Sequence, residues 1–350
     1  MIKLSKGSAI PLYLQVKEGL LAQINSGAFT PDVPIPTEHE LADSLGLSRL
    51  TVRRSIVELA REGLVRRIPG RGTFIVSGAA KAPITAVALI LSNDIPLDLS
   101  SAFTGHLLHG LHAASTPASL CLRNIPDDVR DLRDIQGIVA LWAMNPQTLK
   151  RLAESGIPLV GYECPPDAGG PIYDTISHAN EAGAYEAVSA LINLGHSDIA
   201  CVTHQTSAGN ERRAGYERAM LKHGLTINPQ RIMTNLNSGE SGYALGRRLF
   251  ADLSKAPTAL FCSDDNVANG AMAAAQSFGL KVPEFVSIVG FGDLGLFSTP
   301  SLSSVRMDIR ASGRDAIRLL KERAANPSLP ARNLVLPTEF IRRASCGAVR

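Results

Sequence analysis

Arg49, Thr51, Arg53 and Arg54 crowd into one short stretch, SRLTVRRSIVELAREGLV. An arginine fork can grip a phosphate or read guanine O6 and N7 through two parallel hydrogen bonds, and a threonine hydroxyl can do either job more weakly. Further on, Pro69, Gly70, Arg71 and Gly72 set a cation between two glycines. Those glycines permit positive φ and close backbone approach to a phosphate or a minor-groove wall. From Arg49 to Gly72 seven arginines (49, 53, 54, 61, 66, 67 and 71) stand against Glu58 and Glu62, a balance of +5, while the whole chain carries only +3. The basic charge is focused on one segment. Charge alone would also fit a merely solvated helix face, and the glycine turn favours a surface that meets nucleic acid.

A second set of residues closes apolar runs. TAVALILS ends in Ser92, Asn93 and Asp94, GIVALWA contains Trp142, IPLVGY is followed by Glu163, TALFCS by Asp264 and Asp265, and VSIVGF by Asp293. Carboxylates, amides and one indole on a common rim are the chemistry of a polar small-molecule cleft, in which hydrogen bonds fix orientation and an aromatic face stacks on the C–H surface of a sugar. Trp142 could equally be core, and Asp264 or Asp265 could cap a helix beginning at Asn266.

The elements that must carry these residues follow from periodicity. Leu41, Leu45, Leu47, Val52, Ile56, Leu59 and Leu64 recur at helical spacing across a break at Gly46, so two helices share one core. Ser48 occupies an N-cap position and displays the arginines on the first turns of the second helix, where a recognition helix meets the major groove. Leu64–Arg67 and Thr73–Val76 read as two short strands joined by the Pro69–Gly72 turn, which makes a wing. The segment is a winged helix-turn-helix. Ser77–Pro83, SGAAKAP, has the composition of a short linker. Beyond it, runs apolar at every position alternate with helical stretches such as NEAGAYEAVSALINLGH and DNVANGAMAAAQSFGL. Strands buried on both faces and alternating with helices imply parallel sheets flanked by helices, in two lobes, with ligands at the carboxyl ends of the strands. The expected architecture is therefore α/β: residues 1–76 a winged helix-turn-helix, 77–83 a linker, and 84–350 a two-lobed domain of parallel sheets flanked by helices.

Composition agrees. A chain of 350 residues with 45% hydrophobic residues exceeds the comfortable size of one core. Five dispersed cysteines form no CxxC or Cys/His cluster, so neither a zinc site nor a disulfide framework is expected and a reducing cytoplasm fits. The opening MIKLSKGSAIPLYLQ lacks the pattern of an export signal, and no apolar stretch reaches membrane-spanning length. No cofactor is expected. An enzyme would need Glu163, Asp264, Asp265 and Arg212 as acid–base machinery, for example a glycosidase-like carboxylate pair. No nucleophile motif, GxGxxG loop or metal-ligand spacing accompanies them, and His196 in LGHSD reads as a packed turn residue.

PLYLQVKEGLLAQINSGAF followed by PIPTEHELADSLGLSRLTVRRSIVELAREGLVRRIPGRGTFIV resembles the DNA-binding domain of the GntR family of bacterial transcription regulators. That resemblance implies a dimer on a palindromic operator, with Glu38, Ser48, Arg49, Thr51, Arg53 and Gly70 at or near DNA. His39 stands where the family has a phosphate-anchoring arginine, and Asp32 replaces a turn glycine. Downstream, GIPLVGYE, LINLGHSDIACV, ERRAGYERAMLKHGL, PTALFCSDDNVANGAMAAAQSFGLKVP, FVSIVGFGD and PSLSSVRMDIRASGRDA resemble, in order, the ligand-binding core of the LacI family, itself similar to periplasmic sugar-binding proteins, which implies a two-lobed periplasmic-binding-protein-like domain. There Arg212, in an R-x-x-G-[FY] motif with Gly215 and Tyr216, is implied to reach effector hydroxyls. Glu163 and Asp264 become ligand contacts, and Phe103 and Trp142 cleft walls. The family's Asp-Asn pair reads Ala179-Asn180, its Asn-Asp reads Asp264-Asp265, and its Gly-Phe-Asp-Asp reads Gly290 to Asp293. Ser119–Gly137 is short for the family, which would trim a helix of the first lobe. The pairing of the two families is similar to arabinose-repressor-type regulators. It implies a homodimeric repressor released from operator DNA by a small molecule, with a pentose the first expectation. A transport-type solute-binding protein and a constitutive DNA binder with a silent cleft are the rival readings.

Overall fold

The computed structural model describes residues 11–25, 28–29, 33–61, 64–75, 84–90, 102–115, 119–123, 132, 134–141, 145–164, 172–234, 236, 238–295 and 297–349. Asn93, Trp142, the 77–83 linker, and residues 124–131 and 133 of the shortened 119–137 stretch lie outside the described residues. The chain divides into two compact units, residues 1–85 with 321–330 and residues 86–320 with 331–350.

In the first unit come α1 (Leu12–Asn25), α2 (Glu38–Leu45), α3 (Arg49–Arg61), β1 (Val65–Ile68) and β2 (Gly72–Ile75). A reciprocal capping box starts α2: Glu40 N donates to Thr37 Oγ1, and Thr37 N donates to the Glu40 carboxylate at 2.7 Å. Gly46, at φ 62°, ends the helix in the left-handed region that glycine tolerates. Ser48 Oγ then accepts from Thr51 N at 3.2 Å, so the expected cap of α3 is present. Val16, Leu20, Ile24, Leu41, Val52, Ile56, Leu59, Val65 and Ile75 form one core, with Leu45, Leu47 and Leu64 packed against it. β1 and β2 pair antiparallel, Ile68 opposite Gly72, so the wing turn is one residue tighter than the expected Pro69–Gly72. Ile35 N adds a rung by donating to Thr73 O at 2.8 Å.

The second unit runs β3 (Ala86–Ile90), α4 (Ala102–Ser115), β4 (Ser119–Arg123), β5 (Gly137–Leu141), α5 (Pro146–Glu154), β6 (Leu159–Tyr162), β7 (Asp174–His178), α6 (Asn180–Asn193), β8 (Ile199–Val202), α7 (Ser207–Lys222), β9 (Ile232–Met233), α8 (Gly239–Leu249), β10 (Ala259–Cys262), α9 (Asp265–Ser277), β11 (Ser287–Gly292), β12 (Ser303–Met307), α10 (Ile309–Ala325), β13 (Asn333–Leu336) and β14 (Thr338–Ile341). One lobe is a parallel sheet in the order β13-β7-β6-β5-β3-β4, and the other has the order β14-β12-β11-β10-β8-β9. The apolar runs are inner strands of the two sheets, buried at every position of β5 and β6 in the first and of β8, β10 and β11 in the second.

One edge departs from the expected parallel pattern, because β14 runs antiparallel to β12. The chain passes between the sheets after His178, after Met307 and after Leu336. Since β12 ends at such a crossing and β14 begins at one, the two must point in opposite directions. All five cysteines are free.

Helices α8 and α9 pack backbone to backbone. A Cβ on Gly242 would lie 2.2 Å from Val267 O, and one on Gly270 would lie 2.0 Å from Gly239 O. By contrast, nothing lies within 4 Å of a Cβ placed on Gly105 in α4. Gly242→Ala or Gly270→Ala is therefore expected to destabilise the unit by about 1–3 kcal/mol through overpacking. Gly105→Ala should be neutral or stabilising by up to about 1 kcal/mol. Thermal unfolding midpoints of the three variants check this; equal midpoints would refute the close crossing.

Candidate functional site

In the first unit, Glu38, His39, Arg49, Arg71 and Gly72 line one groove of about 860 Å³, together with Thr37, Ser44, Arg67 and Thr73. The start of α2, the start of α3 and the wing converge there. Arg49 and Arg53 are exposed on α3, and Arg71 is exposed at the wing tip beside Gly70, whose φ is 73°. Other expected contacts are already engaged within the unit. The Glu38 carboxylate is paired with Arg67 at 3.1 Å, which makes Glu38 a positioning residue for a wing cation. Arg54 lies with its guanidinium carbon 3.9 Å from the ring centre of Tyr13 on α1, a cation–π contact that draws it toward α1. Thr51 Oγ1 is 2.8 Å from Ser48 Oγ, and His39 Nδ1 is 3.5 Å from Asp43.

In the second unit the geometry centres on Arg212, only 6% exposed although it carries a charge. Gly215 explains how α7 reaches this place, since a Cβ there would lie 2.2 Å from Glu181 O on α6. Tyr216 anchors the same turn by donating its hydroxyl to Ile199 O at 3.0 Å. The guanidinium lies over the Phe291 ring at 3.9 Å. Its Nε donates to Asn180 Oδ1 at 2.9 Å and its Nη1 to Ser263 O at 2.7 Å. Asn180 Nδ2 in turn donates to Glu163 at 3.1 Å and to Glu211 at 3.0 Å. Glu163 Oε1 also accepts from His178 N at 3.1 Å and lies 2.8 Å from His178 Nδ1. Glu163 and Arg212, which the sequence places far apart, thus share a single relay through Asn180. Phe103 stands beside it, its ring centre 6.1 Å from that of Tyr162, which meets His178 edge-on.

Electrostatics in this cluster follow burial. Desolvation pushes the Arg212 guanidinium down from its ordinary value, opposed by the charges of Glu163 and Asp264. Burial also raises the Asp264 carboxyl, against the lowering effect of the Asn266 amide and of Arg212. Asp264 is the N-cap of α9, its Oδ1 accepting from Asn266 N at 2.7 Å, so the helix starts one residue before the expected Asn266. It both caps the helix and faces the cluster. Burial and then the Arg212 charge hold His204 down at about 3, so that imidazole is neutral. Ser263 Oγ is buried with no hydrogen-bond partner among the described residues.

Asp293 belongs to a neighbouring cluster. It accepts from Arg306 Nε at 2.9 Å and pairs with Arg343 at 2.7 Å. With Asp265, Ser304 and Arg343 it lines a cavity of about 260 Å³. Glu163 and Asp293 are the non-glycine residues with positive φ among those described, 52° and 51°, each directly after a strand. Such strained conformations persist where surrounding structure holds them, and they cluster at functional sites.

Glu211 and His204 emerge from the structure as members of the cluster, beside Ser263, which the end of the TALFC run delivers with Asp264 and Asp265, and Asn180 of the altered Asp-Asn pair. His204 follows an apolar run, so the strand-end rule could have found it. Glu211 carries no such signal. His196 is a packed histidine, its Nδ1 3.0 Å from Thr258 Oγ1 and its Nε2 3.0 Å from Gly347 O. Among the described residues no His, Cys, Asp and Glu group is placed to hold a metal ion, and no helix is long and apolar enough to cross a membrane.

Comparison with known proteins adds to this geometry. Residues 12–75 match the bacterial regulatory proteins of the gntR family, and residues 188–346 match the periplasmic binding protein-like domain. The chain is 32% identical over 218 residues to the HTH-type transcriptional repressor PurR of Aliivibrio fischeri, an alignment spanning 60% of this chain and 64% of that protein. It is 30% identical over 258 residues to the probable HTH-type transcriptional repressor ExuR of Bacillus subtilis, spanning 70% of this chain and 76% of the relative. A LacI-family regulatory protein of Chloroflexus aggregans superimposes with a TM-score of 0.64 at 26% identity, over 75% of this chain and 98% of that one. The first of these relatives is named as a transcriptional repressor and the second as a probable one, and the chain spans just under two thirds of the first.

Asp265 provides a stability test. It is 2% exposed, accepts from Ser304 Oγ at 2.6 Å and from Leu294 N at 2.9 Å, and burial raises its carboxyl to about 6. A carboxyl raised on folding binds a proton more tightly in the native state, so its penalty is full above pH 6 and is relieved as pH falls toward 3.8. Relative to Asp265→Asn, the unaltered protein should gain roughly 1 kcal/mol of stability between pH 7 and pH 5. Urea unfolding of both at the two pH values reads the difference; a constant gap would refute a raised Asp265.

Proposed function

The chain belongs to the bacterial transcriptional regulators that join a GntR-type DNA-binding domain to a LacI-type, periplasmic-binding-protein-like domain, and from that membership we propose that it is a repressor whose grip on operator DNA is set by a small molecule held at Arg212. The observation that carries the DNA half is the groove that gathers Arg49, Arg71, His39 and Arg67 around the exposed start of α3. Phosphates meet the groove and base edges meet α3. A transport-type binding protein would have no use for this unit.

The ligand half rests on the cluster around Arg212. A guanidinium has five N–H donors, and among the described residues Nε and Nη1 each make one hydrogen bond to a protein oxygen while Nη2 meets only the Met307 sulfur at 3.5 Å. The remaining donors suit an acceptor-rich ligand, Asp264 and Glu211 accept from its hydroxyls, and the Phe103 ring offers an apolar wall. A polyhydroxylated molecule satisfies all three, and a sugar such as a pentose is the reading we adopt. Occupancy of the cleft would alter the two lobes, and a homodimer would pass that change to two DNA-binding units on a palindromic operator in the cytoplasm. Coupling of about 1–3 kcal/mol is ordinary for such linkage.

Thermal unfolding against a panel of pentoses, hexoses and their acids and phosphates finds the effector, because a native-state ligand raises the midpoint. A blank panel would favour a silent cleft. At fixed salt, Arg49→Ala and Arg53→Ala should each cost about 1–3 kcal/mol of operator affinity, with Arg71→Ala also weakening it. Unchanged affinity in all three would overturn the assignment of α3. Arg212→Ala should bind operator normally yet no longer respond to the sugar that releases the unaltered protein; an intact response would remove Arg212 from the site.

A further inference from the structure

Leu50, the second residue of α3, is 78% exposed. It is not part of the core of the first unit. At about 100° per residue, the buried Val52, Ser55, Ile56 and Leu59 define the core side of α3, and Leu50, Arg53, Arg54 and Val57 recur on the opposite side. Val57, 39% exposed, repeats the apolar character one heptad further on. This face therefore presents apolar side chains among exposed arginines, on the helix turn where a recognition helix meets base edges.

A partner for such a face must accept cations and apolar groups within a few ångströms of each other. Duplex DNA does so in the major groove, where phosphates flank the bases and the thymine C5-methyl is the apolar group presented on a base edge. Leucine has no donor or acceptor, so hydrogen-bond readout is closed to it. We propose that Leu50 is a specificity-determining residue that reads thymine, packing its methyl groups on the C5-methyl of one thymine in the bound operator while Arg49 and Arg53 take phosphate or guanine. This rests on the DNA-binding reading above and names what that surface recognises.

The test begins with selection of duplexes from a random library by the full chain at fixed salt. Each thymine of the selected site is then replaced singly by deoxyuridine, which removes only the methyl group. At one position, replacement should weaken binding by roughly fourfold, the factor given by about 0.8 kcal/mol per buried methyl-sized group. Leu50→Ala should bind the thymine and uracil duplexes equally. Alanine is the best helix former, so the variant keeps α3, and its thermal midpoint verifies this. Leu50→Asn should shift the selected base at that position from thymine to adenine, which asparagine can bond through N6 and N7. Indifference of the unaltered protein to every deoxyuridine, or full discrimination by Leu50→Ala, would overturn the proposal while leaving DNA binding intact. A library from which nothing is enriched would instead overturn the DNA-binding reading itself, and this proposal with it.

Discussion

A guanidinium cannot shed its charge, so burying Arg212 obliges the second unit to surround it with acceptors. Among the described residues no carboxylate lies at ion-pair distance from it. The charge is met by a main-chain carbonyl, an amide oxygen and an aromatic face, with Glu163 and Asp264 acting from further away. That arrangement constrains much else. Asn180 must start α6 so that its amide can bridge Arg212 to Glu163 and Glu211. Gly215 must lack a side chain so that α7 can approach α6, and Asp264 must cap α9 to keep a carboxylate nearby. Glu163 itself takes a positive φ to turn its carboxylate toward His178 and Asn180.

The relay also joins the sheets. Glu163 follows β6 in one sheet, whereas Ser263 follows β10 in the other, and Arg212 connects them through Asn180. In the proposed function, a ligand that took up the remaining Arg212 donors would sit against the bonds that join the lobes, and its occupancy of a small site would thereby act on the whole unit. In the first unit the physics is reversed. Its proposed function rests on what remains exposed, while its internal contacts fix several of the proposed DNA-facing residues: Glu38 pairs with Arg67, Arg54 lies over the Tyr13 ring, and Ser48 caps the start of α3.

Much of this was legible in the chain. Strands apolar at every position, such as GIVAL and ALFC, announce burial on both faces, and the helix periodicity around Gly46 announces the paired helices of the first unit. β14 was not legible, because TEFI is short, half polar and without alternation, and its partner depends on the path of the chain between sheets. The Thr37-x-x-Glu40 capping box has a recognisable spacing and sits at the entry to the groove. Asp264 illustrates an ambiguity that spacing cannot resolve, since capping a helix and facing a ligand ask for the same residue. Asn180, Glu211 and Arg212 meet through tertiary packing of α6 on α7, and the Arg54 contact with Tyr13 spans two helices distant in sequence, so neither leaves a local pattern.

One coupling joins the two proposed sites, between DNA at the first unit and a small molecule at Arg212. Calorimetric titration of the full chain with the first sugar found to raise its unfolding midpoint, performed with and without saturating operator duplex, measures it directly. Operator is expected to weaken sugar binding by the same factor, about 5-fold to 150-fold, by which the sugar weakens operator binding. Sugar affinity unchanged by operator would contradict it.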